Sequence, residues 1–209
     1  LGDVYKRQVY ITSLGIQIHG GMGFIEDTGA AQYFRDSRIL PIYEGTNGIQ
    51  ALDLLKRKLS LQKGKTFKEL IKKIRDDIEI AKNIPFKDVT TIGTLLESTL
   101  NSLEDAAYWI KDELENNLHN AAAGATPFLN MFGWTLGGWI MCKSSVNAIN
   151  NKNLSDQFCK DKINTSLFFC TTYLPLASSL LNTIKFSHKT IKTIYLSLIH
   201  ISEPTRQSL

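Results

Sequence analysis

What this chain has little of narrows the field first. Cysteine is scarce: Cys142, Cys159 and Cys170 are odd in number and lack a CxxC spacing. They read as buried or free thiols in a reducing compartment, not as a disulfide frame or a zinc site. The four histidines are scattered, so no metal centre is expected. Charge of one sign is missing too. The net charge is only +4, and lysine and arginine are mixed with acids instead of gathered among aromatics, which argues against nucleic acid as a partner. A membrane span needs about 20 mostly apolar residues. Residues 128–142 are shorter and contain Asn130 and three glycines, while residues 167–181 carry Thr171, Thr172, Ser178 and a proline. Both read as buried bundle helices. No sustained alternation marks a sheet, and Gly20-Gly21-Met22-Gly23 lacks the full GxGxxG pattern and its preceding strand.

What is present is helical. The expected fold class is all-α, and 209 residues at 43% apolar content suit one or two domains with a sizeable core. Residues 9–18 read as the end of a helix broken by glycines. Residues 29–40 read as a short helix stopped by Pro41, and Ile49, Leu52, Leu55 and Leu59 recur at helical spacing after Thr46. Gln62-Lys63-Gly64-Lys65 is the clearest linker. Beyond it, Thr66 and Glu69 form a candidate capping box. Phe67, Leu70, Ile71, Ile74, Ile78 and Ala81 then share one helical face. Further helices are expected over residues 89–118 and 128–149, and from about Asp156 towards Phe186 with a kink at Pro175. Gly133, Gly137 and Gly138 suit close helix approach, and Tyr108, Trp109, Trp134 and Trp139 read as core anchors.

One stretch carries chemistry: Ile42-Tyr43-Glu44-Gly45-Thr46-Asn47-Gly48-Ile49-Gln50, where a single carboxylate sits as a loop feeds a helix. Taken alone, Glu44 reads as a solvated residue favoured by the helix dipole. Two upstream blocks change that weighting, QIHGGMGF at residues 17–24 and RDSRI at residues 35–39. In this order and spacing, the blocks resemble the C-terminal catalytic segment of the acyl-CoA dehydrogenases. The residues after Gly64 are similar in position and helical pattern to an additional C-terminal helical domain of larger family members, including 3-methylmercaptopropionyl-CoA dehydrogenases.

The resemblance implies α,β-desaturation of an acyl-CoA thioester with FAD as hydride acceptor. Glu44 would be the base that takes the α-proton, its backbone N–H helping to bind the thioester oxygen. Tyr43 and Gly45 would border the substrate. Gln17, Ile18, His19, Gly20 and Gly21 match the turn that approaches the FAD of an adjacent subunit, where a bare backbone can come close to phosphate. Thr46 and Asn47 match residues lining the bound FAD, whereas Gly48 departs from the longer polar residue of many relatives. Arg35 and Arg38 would touch cofactor or a partner subunit, or else pair with Asp36 or a neighbouring acid. Implied partners are an electron-transfer flavoprotein and further copies of the chain, as a dimer or tetramer, in the cytoplasm.

The resemblance divides the chain into residues 9–61, the end of the catalytic helical domain, a linker at 62–65, and an accessory four-helix domain at 66–195. Residues 1–8 and 196–209 resemble translated sequencing-adapter sequence and are expected to be non-native. The family's upstream helices and middle β-domain lie outside this chain, so it is expected to be inactive alone and not to retain FAD. Two alternatives stay open: a flavoprotein relative with altered chemistry, such as a nitroalkane oxidase-like or DNA-damage-associated protein, and a non-catalytic helical interaction module with a vestigial glutamate.

Overall fold

The computed structural model describes residues 2–43, 45–151 and 153–191, and among them every regular element is helical. The all-α expectation is met. Helix α1 spans Gly2–His19, and the single turn α2 spans Gly21–Phe24. Helix α3 spans Ala30–Ser37 and α4 spans Asn47–Asp53, continuing through a π-type turn at Leu54–Lys58. A bundle follows, made of α5 (Lys65–Lys82), α6 (Lys87–Asn116), the short α7 (Leu118–Ala123), α8 (Ala125–Asn150) and α9 (Asp156–Ile191). Helix α1 is continuous from Gly2, with Lys6 Nζ donating to Asn130 Oδ1 at 3.2 Å and the Arg7 guanidinium lying over the Trp134 ring. The C-terminal residues 196–209 lie outside the described residues.

The bundle forms because each long helix puts apolar side chains on one stripe. On α5 the predicted face is the buried one: Ile71, Ile74, Ile78 and Ala81 are in the core, and Phe67 and Leu70 pack against it. On α6 the residues Ile92, Leu96, Leu103, Ala107 and Ile110 are buried as the spacing predicts. Fully burying one such side chain stabilises the fold by about 1.5–3 kcal/mol. Polar pairs fix the directions. Lys82 meets Glu97 at 2.9 Å while Arg75, earlier on α5, meets Glu104, later on α6, so the two helices run antiparallel. Thr99 and Asp105 of α6 meet Ser178 and Lys185 of α9 in the same order, so those two run parallel. Helices α8 and α9 close on each other antiparallel. A Cβ on Gly138 would stand 2.6 Å from Leu174 Cδ2, and one on Gly137 2.7 Å from Phe169 Cζ, so the two glycines let the helices approach without displacing these side chains.

Several boundaries differ from the sequence reading. The helix expected over residues 89–118 ends at Asn116, because Asn117 adopts extended backbone and its side chain accepts from Asn120 N to cap α7. The capping box is not formed: Gly64 is the N-cap of α5, Thr66 lies inside the helix, and Glu69 pairs with Lys65. Of the expected stripe, Leu55 is in the core and Leu52 and Leu59 pack against it, but Ile49 is 58% exposed, and Ala51 and Leu54 are buried in addition. Tyr108 is 60% exposed and does not anchor the core. Helix α9 runs through Pro175 as one element. Among the described residues it is the one helix that, over Asp156–Lys189, is long and apolar enough to cross a membrane. Its residues Ile163, Cys170, Leu174, Ala177 and Ile184 are instead buried within the bundle.

Candidate functional site

The glycine-rich turn is built at the end of α1. His19 Nδ1 is hydrogen-bonded to the Gly15 carbonyl at 2.9 Å, and Gly20 N donates to Gln17 O at 3.1 Å. Gly20 adopts φ 61°, a left-handed conformation that redirects the chain into α2. Gly23 is buried, and a Cβ there would collide with the Ile16 carbonyl, so α2 lies flush against α1. Thr28 Oγ1 donates to Met22 O at 2.8 Å and holds the turn from outside. Gly21 has open space around it. The predicted residues Gln17, Ile18, His19, Gly20 and Gly21 are together on one exposed surface, with Ile18 84% exposed.

The second group lies on the loop between α3 and α4. Tyr43 N donates to Ile39 O at 3.1 Å, and the Tyr43 side chain is partly exposed. Glu44 lies outside the described residues. Gly45 has φ 93°, and Thr46, at the N-cap of α4, makes no side-chain cap hydrogen bond, leaving its carbonyl to accept from Gln50 N at 3.0 Å. Asn47 Oδ1 is buried and has no hydrogen-bond partner among the described residues. A buried acceptor left without a donor costs about 1–3 kcal/mol, so it marks a place where a donor fits.

Helix α1 packs against both α3 and α4, with Thr12 Oγ1 and Ser37 Oγ 2.9 Å apart, and so serves both groups as a scaffold. Among the described residues no hydrogen bond joins the Gln17–Gly21 turn to Thr46 or Asn47. The Arg35 guanidinium forks onto the Glu26 carboxylate at 2.8 and 2.7 Å, so the ion-pair reading holds for it, with Glu26 in place of Asp36. That hydrogen-bonded pair raises the Arg35 pKa above its ordinary value. Among the described residues no group of acids, histidines and cysteines is placed to hold a metal ion. Sequence reasoning passed over Lys63 and Tyr108, which line a cleft at the start of α5. One was read as linker and the other as core, and no local pattern separates a cleft wall from a core anchor.

A motif-bearing loop on a short helical layer, followed by a long-helix bundle, defines a two-part helical region. Two families match it in that order. The one described as "Acyl-CoA dehydrogenase, C-terminal domain" matches residues 4–59, and "Acetyl-CoA dehydrogenase C-terminal like" matches residues 70–194. The chain belongs to the acyl-CoA dehydrogenase family. It is 37% identical over 183 residues to a 3-methylmercaptopropionyl-CoA dehydrogenase of Ruegeria pomeroyi, covering 83% of this chain and 30% of that protein. It is 29% identical over 176 residues to a broad-specificity linear acyl-CoA dehydrogenase of Mycobacterium tuberculosis, covering 78% of this chain and 28% of the relative. A butyryl-CoA dehydrogenase of Syntrophomonas wolfei is 37% identical over 90 residues, covering 43% of this chain and 15% of the relative. The chain thus spans less than a third of the length of these relatives.

Proposed function

We propose that this chain contributes the C-terminal catalytic segment, residues 9–61, and an accessory helical domain, residues 66–195, to a flavin-dependent acyl-CoA dehydrogenase. The reaction is α,β-desaturation of an acyl-CoA thioester. The observation that carries the reading is the family match running through the whole Ile42–Gln50 loop. An α-proton of a thioester is only weakly acidic, so its removal needs a positioned base and a polarised carbonyl. Glu44 is that base, taking the proton from the α-carbon, and its backbone N–H holds the thioester oxygen. Tyr43 and Gly45 border the thioester. The chemistry a bound FAD supplies is acceptance of the hydride from the β-carbon.

The residues present fit such a cofactor. The buried acceptor Asn47 Oδ1, which lacks a donor among the described residues, and the non-capping Thr46 hydroxyl both belong to the entrance to α4, where a polar cofactor edge would supply partners. Gln17, Ile18, His19, Gly20 and Gly21 would hold the pyrophosphate side of a second subunit's FAD. Supporting a covering surface outside this chain, the large apolar side chains Ile18, Phe24 and Tyr33 are 84%, 80% and 72% exposed. We assign that cover to the upstream domains and to further copies of the protein, as a dimer or tetramer. The electron acceptor in this reading is an electron-transfer flavoprotein.

The test is a spectroscopic one on the full-length protein carrying this segment. Anaerobic addition of acyl-CoAs should bleach the flavin absorbance, and Asn47→Ala should weaken FAD retention about tenfold, the equivalent of about 1.4 kcal/mol. Flavin that no thioester reduces would point to altered chemistry. A protein that takes up no flavin would leave a helical interaction module.

A further inference from the structure

Where the segment proposed for catalysis ends, Leu59, the start of α5 and the C-terminal half of α6 line a cleft of about 270 Å³. Its floor is apolar, formed by Leu59, Phe67, Ala107 and Leu114, and Tyr108 adds a half-open aromatic wall. Its rim is cationic. Lys63, Lys68 and Lys111 all line it, and among the described residues none of them is paired with a carboxylate. Their neighbours behave differently: Lys58 pairs with Asp53 and Lys65 with Glu69. All three lysines on the cleft rim thus keep their charge uncompensated by a carboxylate among the described residues.

The backbone there is unusual as well. Gln62, Lys63 and Gly64 adopt φ of 50°, 58° and 83°, three consecutive left-handed residues of which two carry a Cβ. That conformation is disfavoured for L-residues other than glycine and persists only where the surroundings enforce it. Here it ends the catalytic segment, starts α5 and sets Lys63 on the cleft rim. Helix α5 then begins at the cleft with no side-chain cap, so the positive end of its dipole adds to the lysine charge.

We propose that this cleft binds a short aliphatic chain with an anionic head, its tail on the Leu59–Phe67–Leu114 floor and its head on the lysine rim. An apolar floor alone would take any greasy chain, and the unpaired lysines alone would stay solvated. The two together select an amphiphile with a negative end. The volume sits just below the roughly 300–1,000 Å³ of drug-sized sites, which suits a short tail. Lysine heads are point charges, so carboxylate and phosphate heads are both recognised. The site goes beyond the proposed desaturation and does not depend on it.

The test is calorimetric titration of the chain at low salt with octanoate, octyl phosphate and octan-1-ol, with amide NMR shifts locating the site. Saturable binding of at least one anion is expected, with shifts at Gly64, Phe67, Tyr108 and Lys111, and the tighter of the two names the head group. Octan-1-ol should bind about tenfold or more weakly, and added salt should weaken the anions. A combined Lys63→Gln, Lys68→Gln, Lys111→Gln variant changes only exposed side chains, so its thermal melt should match the parent while anion affinity falls about tenfold or more. Failure of both anions to bind would overturn the proposal. So would equal binding of the alcohol, undiminished binding by the glutamine variant, or shifts confined to other surfaces.

Discussion

Trp139 on α8 donates its indole N–H to the Asp77 carboxylate on α5 at 2.7 Å. Lys143 stands 4.0 Å from the same carboxylate and 5.1 Å from the centre of the Trp139 ring. The contact joins two helices far apart in sequence, and Asp77 is only 24% exposed, so water replaces the bond poorly. Trp139→Phe keeps most of the packing and removes the donor. Urea unfolding should give a loss of about 1–3 kcal/mol, as for a hydrogen bond to a charged group. Unchanged stability would mean that the carboxylate is satisfied by solvent instead.

The glycine approach between α8 and α9 makes a second prediction. Gly138→Ala places a methyl 2.6 Å from Leu174 Cδ2 and 3.2 Å from Leu174 Cγ, and Leu174 is fully buried, so its side chain must shift within the core. Overpacking of this kind costs about 1–3 kcal/mol. Combining it with Leu174→Ala should recover part of the loss, giving a favourable coupling in a double-mutant cycle. Strict additivity would show that the two helices separate without resistance.

The buried thiols predict how stability depends on pH. Burial pushes the Cys142 thiol up to about 11 and the Cys170 thiol up to about 12, from an ordinary 9.0. In the unfolded chain both thiols ionise near their ordinary value, while the folded chain keeps them protonated. The unfolded state therefore loses protons first, and folding stability falls as pH rises from about 9 towards 11, by up to about 1.4 kcal/mol per pH unit for each thiol. Unfolding free energies measured across that range should show the decline, and Cys142→Ala with Cys170→Ala should flatten it. The partly exposed Cys159 should be the first cysteine labelled by a thiol reagent in the native protein.

The sequence was most legible where a helix buries its own stripe. Ile71, Ile74 and Ile78 on α5, and Ile92, Leu96 and Leu103 on α6, are in the core where their spacing put them. It was least legible where burial depends on something other than spacing. Ile18, Phe24, Tyr33 and Ile49 have the apolar character of covered residues, yet they are exposed, because a sequence states what prefers burial and not what supplies the cover. Asn117 carried a readable signal, an asparagine able to cap a new helix at Asn120, which the helical spacing continuing through Ile110 and Leu114 concealed. The left-handed Gln62 and Lys63 carried none, since neither residue type favours positive φ. Of the candidate site, the motifs marked the loops, and the structure adds what no motif encodes: Asn47 Oδ1 buried without a donor and Arg35 already paired with Glu26.

The central claim is that Glu44 removes an α-proton. Its most direct measurement is anaerobic titration of the full-length flavoprotein with acyl-CoAs, alongside Glu44→Gln, which keeps the side chain's shape and removes its basicity. Loss of the general base should slow flavin bleaching by about 10²–10⁴-fold while the thioester still binds. Bleaching by Glu44→Gln at the rate of the parent would contradict the account.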